Sequence, residues 1–395
     1  MILLITNNKF SNKKILLVSS DFVYPPNHGD RVDIWNRILC LNKLGFEIDL
    51  ISTVKTSPSN EQIRIVKQYI NKLILISRKN NLMDMLSIYP LQLQSRKDLI
   101  NIKLTNIYNF IFLQGSYVFP IIRNKTLQYK HIILRMNNDE SVYFKELANS
   151  EKIFWKKIYY TIESLKFKIM DKNLVRKIPT IFFVSHDEMI KYKKSYSFIQ
   201  EYFMPTAIEP VFKIQSLDNK NVAFIGSLFM TNNKEAIEFY IKKVHPLLSN
   251  IRNYTLIIAG NSKGHGINWI KLLAKNFNNI KIYDTPDTLD EIYASSSIFI
   301  NPMLHGAGVK LKTINAIVNG LPVVSTTIGN QGTGLENKKH IYIADDPIEY
   351  ADCIKKLLMD KTERERLVNE SQKYISLYYN QEKILSKYLS EIERS

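Results

Sequence analysis

Cysteine is scarce in this 395-residue chain. The two present, Cys40 and Cys353, lie far apart in apolar helical stretches. They make neither a disulfide framework nor a zinc-ligand spacing, and read as inert, buried thiols of a reducing cytosol. Long apolar runs are missing as well. The most apolar segment, residues 110–122, is too short to span a bilayer and is broken by Gln114, Gly115 and Pro120. Residues 1–5 are apolar but lack a basic leader and a small-residue cleavage site, so they do not read as a signal peptide. The first core strand is expected at 15–19, which makes the first dozen residues an extension. Histidine is sparse too: the 7 present are scattered and read as structural or surface residues, except His28 and His305, which sit in loops of interest. No nucleic-acid recognition module is present, so nucleic acid is not an expected partner.

Acidic residues are in the minority, with 54 Lys and Arg against 37 Asp and Glu and a net charge of +17. The excess is lopsided: residues 1–210 hold 31 basic and 18 acidic side chains, and residues 211–395 hold 23 and 19. A basic first half fits an anionic membrane surface, a phosphorylated acceptor or nucleic acid. A general richness in Lys, Asn and Ile accounts for part of the charge without any partner. Much of it falls in residues 145–177, where Lys156, Lys157, Lys166, Lys168 and Lys172 alternate with Phe154, Trp155, Ile158, Ile162, Leu165 and Ile169. This reads as a basic amphipathic helix or helix pair. Such a stretch either lies on an anionic membrane or, as charge runs usually do, is a solvated face over a core stripe.

The length predicts two domains. Short runs rich in Ile, Val, Leu and Phe recur at 15–19, 47–52, 73–77, 110–113, 131–135 and 180–185. They resume at 222–225, 256–259, 280–283, 297–301, 322–326 and 341–344. They rarely alternate polar with apolar, as expected of parallel strands buried on both faces. Helical patterns lie between them, for example at 32–44, 234–248 and 311–319. The pattern predicts an α/β chain of two doubly wound, Rossmann-like domains. The linker is placed in residues 204–218, which hold Pro205 and Pro210. The expected division is an N-terminal domain over 1–208, a C-terminal domain over 215–372, and a terminal helix over 373–395 that packs back on the first domain.

The strongest chemical signal is His305-Gly306-Ala307-Gly308-Val309-Lys310-Leu311-Lys312-Thr313-Ile314-Asn315. It follows a strand and opens a helix. Glycines let backbone come close to a ligand, and N–H groups with the helix dipole attract phosphate there. Lys310 or Lys312 adds a point charge for a diphosphate; a plain tight turn with surface lysines is the competing reading. The Walker spacing is absent. Next come Gly320, placed as a helix C-cap, and the strand of Pro322-Val323-Val324-Ser325-Thr326. Asp287 and Asp290 follow another strand and read as a helix cap and a helix N-terminal charge.

Together these segments resemble the group 1 nucleotide-sugar glycosyltransferases, whose two Rossmann-like domains face a central cleft (the GT-B fold). Many members carry G-x-G-x-[KR]-x-K-x-x-E-A followed by G-x-P-V-V-x-T. The opening strand with Asp21, Pro25, Pro26, Gly29, Asp30 and Arg31 is similar to their first loop. Arg135-Met136-Asn137-Asn138-Asp139-Glu140 is similar to their R-x-H-N-x-E segment, and Gly226-Ser227 with Asn233 to the start of their second domain.

The resemblance implies transfer of a sugar from a nucleotide-sugar donor to a cell-envelope glycan or lipid-linked acceptor, with retention. Gly226, Ser227, Gly306, Gly308, Lys310, Lys312 and Asn315 would bind the donor; Asn137, Asn138 and Gly29 would lie at the reacting centre; Asp30 and Arg31 would lie on the acceptor side. It implies no metal and no cofactor beyond the donor, and Asp345-Asp346 falls at a strand end rather than in a D-x-D motif. The expected location is cytoplasmic, peripheral on the inner face of the membrane. Two positions depart from the family. Asn315 replaces a Glu that meets the donor ribose, and Asn137 replaces a His near the transferred sugar; Asn hydrogen-bonds but carries no charge and is no base. A non-catalytic paralogue that binds glycan or a partner transferase, and a nucleotide-sugar epimerase, are the alternatives.

Overall fold

A computed structural model describes residues 9–395, apart from 27–28, 80, 152, 207, 209–210, 215–218 and 307. His28, Ala307, Lys152, residues 1–8 and parts of the expected linker therefore lie outside the described residues. The chain forms two compact units, Met1–Ile208 with Asn380–Ser395, and Glu209–Tyr379.

The first unit is built on seven strands: β1 (Lys14–Ser19), β2 (Glu47–Val54), β3 (Lys72–Ser77), β4 (Ile107–Gln114), β5 (Gln128–Met136), β6 (Thr180–Phe183) and β7 (Gln200–Phe203). Their order is β3-β2-β1-β4-β5-β6-β7, with every pairing parallel. The reason for the unalternating strand sequences is plain in β1. Ile15 and Leu17 enter one core, Leu16 and Val18 the other, and all four are fully buried. The helix Gln381–Ile392 completes the first core with Ile384, Leu385, Leu389 and Ile392. Phe10 stacks on Phe46 in the same core, so residues 9–12 are part of the unit rather than an extension. β7 was not expected, because Gln-Glu-Tyr-Phe has no apolar run.

The second unit holds β8 (Asn221–Ile225), β9 (Thr255–Gly260), β10 (Ile280–Asp284), β11 (Ile298–Asn301), β12 (Val323–Ser325) and β13 (Tyr342–Ile343), in the order β10-β9-β8-β11-β12-β13, again all parallel. Both sheets reverse direction of growth beside their first strand. Ligands of open α/β sheets bind outside the carboxyl ends of strands at such switch points. The helix expected at 234–248 is interrupted: Thr231–Phe239 opens into a wide turn at Tyr240–Val244 and a tight one at His245–Leu247, where Pro246 has no N–H to continue the helix. His245 is buried there, between the Tyr254 hydroxyl and Asn279, each 3.0 Å away. Among the described residues no helix is long and apolar enough to cross a membrane. Cys40 is buried, with its thiol pushed up to about 12 by burial, whereas Cys353 is only half-buried.

Candidate active site

In the second unit several of the residues expected at a donor site, Gly226, Ser227 and Asn233, gather around Lys312. Its ammonium donates to Asn233 Oδ1 at 2.6 Å and lies 4.8 Å from the centre of the Phe224 ring. Asn233 is oriented in turn by its amide, which donates to the Ser227 carbonyl at 2.9 Å. Gly226 stands just past the end of β8, where this cluster leaves little room for a side chain. A Cβ there would lie 3.1 Å from Asn233 Nδ2 and 3.2 Å from Lys312 Nζ. Gly226→Ala is therefore expected to leave the melting temperature nearly unchanged, since a flexible lysine end can yield, but to weaken nucleotide binding several-fold by displacing that ammonium. Calorimetric titration of the variant checks this.

Lys310 behaves differently from the expectation of a charge simply offered to ligand. It is 5% exposed, and its ammonium donates to the carbonyls of Gly306 at 2.8 Å and Gly308 at 2.9 Å. It folds the glycine loop over itself. Gly308, at φ +83°, takes a left-handed conformation that costs other residues strain. The helix Leu311–Val318 begins at Lys310 with no side-chain cap, although the Leu311 and Thr313 N–H groups donate to the Val309 and Lys310 carbonyls at 3.1 and 3.0 Å. Burial and the neighbouring Lys310 charge lower the Lys312 ammonium to about 8. Two cations held together at an uncapped helix start favour an anion, which relieves both their repulsion and their desolvation. Asn315 is exposed one turn further along.

Of Asp287 and Asp290, the second has a structural partner. Asp290 is exposed and pairs with Lys213 at 2.9 Å. The Asp290 N–H is capped by the Thr288 hydroxyl and not by Asp287. Asp346 caps Pro347–Met359, and Asp345 accepts from Thr327. Gly320, at φ +82°, follows the C-cap residue Asn319 and ends its helix as expected.

In the first unit, Gly29 and Asp30 open the helix Gly29–Lys43 beyond β1. Arg31 donates from Nε and Nη2 to Asp21 Oδ2 at 3.2 and 2.8 Å. Asn137, just past β5, donates to Asp30 Oδ1 at 3.4 Å, so two of the expected residues are brought together; Asn138 is exposed beside them. The backbone beneath is fixed by a charge network that sequence reading missed. Asp33 is 5% exposed and Arg37 and Arg135 are fully buried. Asp33 accepts from Arg37 Nη2 at 2.6 Å and from Arg135 Nε and Nη2 at 3.2 and 3.1 Å. Burial alone would raise the Asp33 carboxyl; the two guanidiniums reverse this and hold it below its usual value. Arg135 also reaches the Met204 carbonyl, and Gln381 donates to Asp33 at 3.4 Å. Glu140 accepts from the Tyr117 hydroxyl at 2.5 Å, and burial lifts its carboxyl to about 7.

Two parallel sheets, each growing both ways from its first strand with polar residues at that switch point, are two Rossmann-like domains of the GT-B architecture. Solved structures agree on the fold. S. aureus TarM matches with TM-score 0.63 at 12% identity, over 97% of this chain and 99% of its own. Anabaena HepE, solved with UDP and glucose, matches with TM-score 0.58 at 11% identity, over 96% and 99%. The family model described as glycosyl transferases group 1 matches residues 219–360. An uncharacterized 44.6 kDa protein in the cps region of Klebsiella pneumoniae is 37% identical over 96% of this chain and 99% of its own length. The chain belongs to the group 1 glycosyl transferase family.

Proposed function

We propose that this glycosyltransferase moves a sugar from a UDP-sugar onto a capsule-type surface glycan or its lipid-linked precursor, with retention of configuration. The observation that carries the donor half is the half-buried Lys312, held by Asn233 beside Gly226 and made more acidic by loss of solvent and, after it, by Lys310. Such a cation is poised to balance the charge that develops on a departing diphosphate. The lysine pair supplies this charge, and no metal ion enters the reading. UDP is favoured because HepE was solved with it, and a capsule glycan because the Klebsiella relative comes from a cps region. Asn137 and Asp30 would position the acceptor hydroxyl by hydrogen bonds rather than abstract its proton, catalysis resting on orientation.

A bilayer-bound acceptor at the inner face of the cell membrane is supported by the helix Phe154–Lys177. One face packs inward with Phe167, Met170 and Leu174. A second apolar stripe faces outward: Phe154 is 65% exposed, Trp155 76%, Leu165 56% and Ile169 73%. A stripe flanked by lysines suits the boundary of an anionic bilayer better than water. Vesicles containing anionic lipid are expected to carry the protein up a density gradient, whereas neutral vesicles should not. Trp155→Glu with Ile169→Glu should leave it at the bottom.

Donor binding is tested by titrating UDP, GDP and ADP calorimetrically, then incubating UDP-sugars with envelope lipid extracts and measuring UDP release. Binding of UDP and acceptor-dependent release support the reading. A chain that binds no nucleotide diphosphate removes it, and the non-catalytic alternative, favoured by the uncharged Asn137 and Asn315, takes its place. Conversion of the donor to its epimer without acceptor identifies an epimerase.

A further inference from the structure

At the carboxyl ends of β2 and β3 the first unit carries a recess of about 380 Å³, lined by Lys55, Arg78, Asn81, Met85, Leu91, Gln92 and Ser95. Its size suits a small polar ligand group. Two lining residues are cations and none is acidic. Arg78 pairs with Asp21 Oδ1 at 3.3 Å, but the same carboxylate is already engaged by Arg31. Behind the wall, Arg96 donates to the Ser20 carbonyl at 3.0 Å and to Thr53 Oγ1 at 3.0 Å. Arg78 donates to that Ser20 carbonyl as well. Burial, and after it the Arg78 charge, lowers Arg96 to about 9. Lys55 is exposed and has no ion pair or hydrogen bond among the described residues. Arg31 and Arg78 thus share one carboxylate, Arg96 stands behind them and Lys55 faces solvent, so the local field is positive. One wall is apolar, with Met85 and Leu91, and the segment continues outward into Leu86 and Ile88, each 82% exposed. Lys166 of the basic helix donates to the Met85 carbonyl at 2.9 Å, joining this rim to the exposed stripe.

We propose that this recess is a phosphate-binding subsite for the acceptor, in which Lys55 and Arg78 take a phosphate or diphosphate while the Met85 and Leu91 wall receives what it is attached to. The proposal rests on the glycosyltransferase reading, with the first unit as the acceptor side. The phosphate can come from a lipid carrier or from a phosphorylated sugar, and the two sources are separable.

The test uses the full chain saturated with UDP, so that the donor site is closed to other phosphates. Farnesyl diphosphate and glucose 1-phosphate are titrated calorimetrically, with farnesol and glucose as uncharged controls, into wild type and Lys55→Glu. Lys55 is a solvent-facing residue whose replacement threatens no core contact; Arg78→Gln is the second variant, and its melting curve shows whether the fold holds. Loss of one charge-assisted contact predicts a fall of about tenfold or more in affinity for the phosphate probe in Lys55→Glu, with UDP affinity unchanged. Preference for farnesyl diphosphate identifies a lipid carrier, and preference for glucose 1-phosphate a sugar phosphate. Equal binding to wild type and Lys55→Glu, or no binding of either phosphate to the UDP-bound protein, overturns the proposal. If UDP itself fails to bind, the donor assignment has failed instead, and the phosphate titrations still decide the recess.

Discussion

Replacing Lys312 by alanine is expected to weaken UDP binding by roughly 10- to 100-fold, the range of a hydrogen bond to a charged group, and to slow sugar transfer at least as much. The ammonium is not a surface charge that salt can replace. It is half-buried beside Phe224, aligned by Asn233, and already destabilised by loss of solvent and by Lys310. A diphosphate therefore gains an interaction that water does not provide. The pH dependence follows from the same burial. With its folded value near 8 against 10.5 in the open chain, Lys312 binds fewer protons when folded between those values. Unliganded protein should accordingly gain stability from this group as pH rises from 8 to 10.5, while UDP affinity falls over the same interval. Lys312→Arg keeps its charge and should flatten both trends. Affinity in Lys312→Ala equal to wild type at pH 7 would remove Lys312 from the donor site.

Asp33→Ala is expected to destabilise the first unit by about 3–5 kcal/mol, because it leaves the Arg37 and Arg135 guanidiniums buried without their common anion. For a unit of this size that amounts to a melting temperature lower by about 10 °C or more. The sign of the acid dependence is fixed. The Asp33 carboxyl is held below its usual 3.8, so its contribution is fully present above that value and disappears as pH falls through the lower folded value. Wild type and variant should differ by a constant amount from pH 8 to about 4 and converge below. Chemical denaturation at several pH values measures this. Since Arg135 lies two residues before Asn137, the variant should also raise KM for the acceptor more than for the donor.

The core strands were legible because strands covered on both faces need branched apolar residues at every position, as in Ile15, Leu16, Leu17 and Val18. β7 was not, since an edge strand with half-exposed residues carries little of that pattern. The glycine loop was legible through its spacing, although the sequence could not tell that Lys310 turns inward to its own loop while Lys312 meets Asn233. Asp33 and Arg37, four apart on a helix, look like an ordinary surface pair; only the packing of β5 brings Arg135 to them and excludes water. The recess of Lys55 and Arg78 was invisible for a similar reason. Those residues follow different strands and meet through the parallel pairing of β2 with β3.

The return of residues 380–395 to the first unit also bears on how the molecule is made. Ile384, Leu385, Leu389 and Ile392 seal the core that Ile15 and Leu17 begin, and Gln381 reaches Asp33. The first unit's strands must wait for a helix made more than 300 residues later. At ordinary rates of synthesis that interval is roughly 20–70 s, during which an apolar face beside β1 and β2 lacks that helix. The second unit, continuous in sequence, can fold before the first is completed.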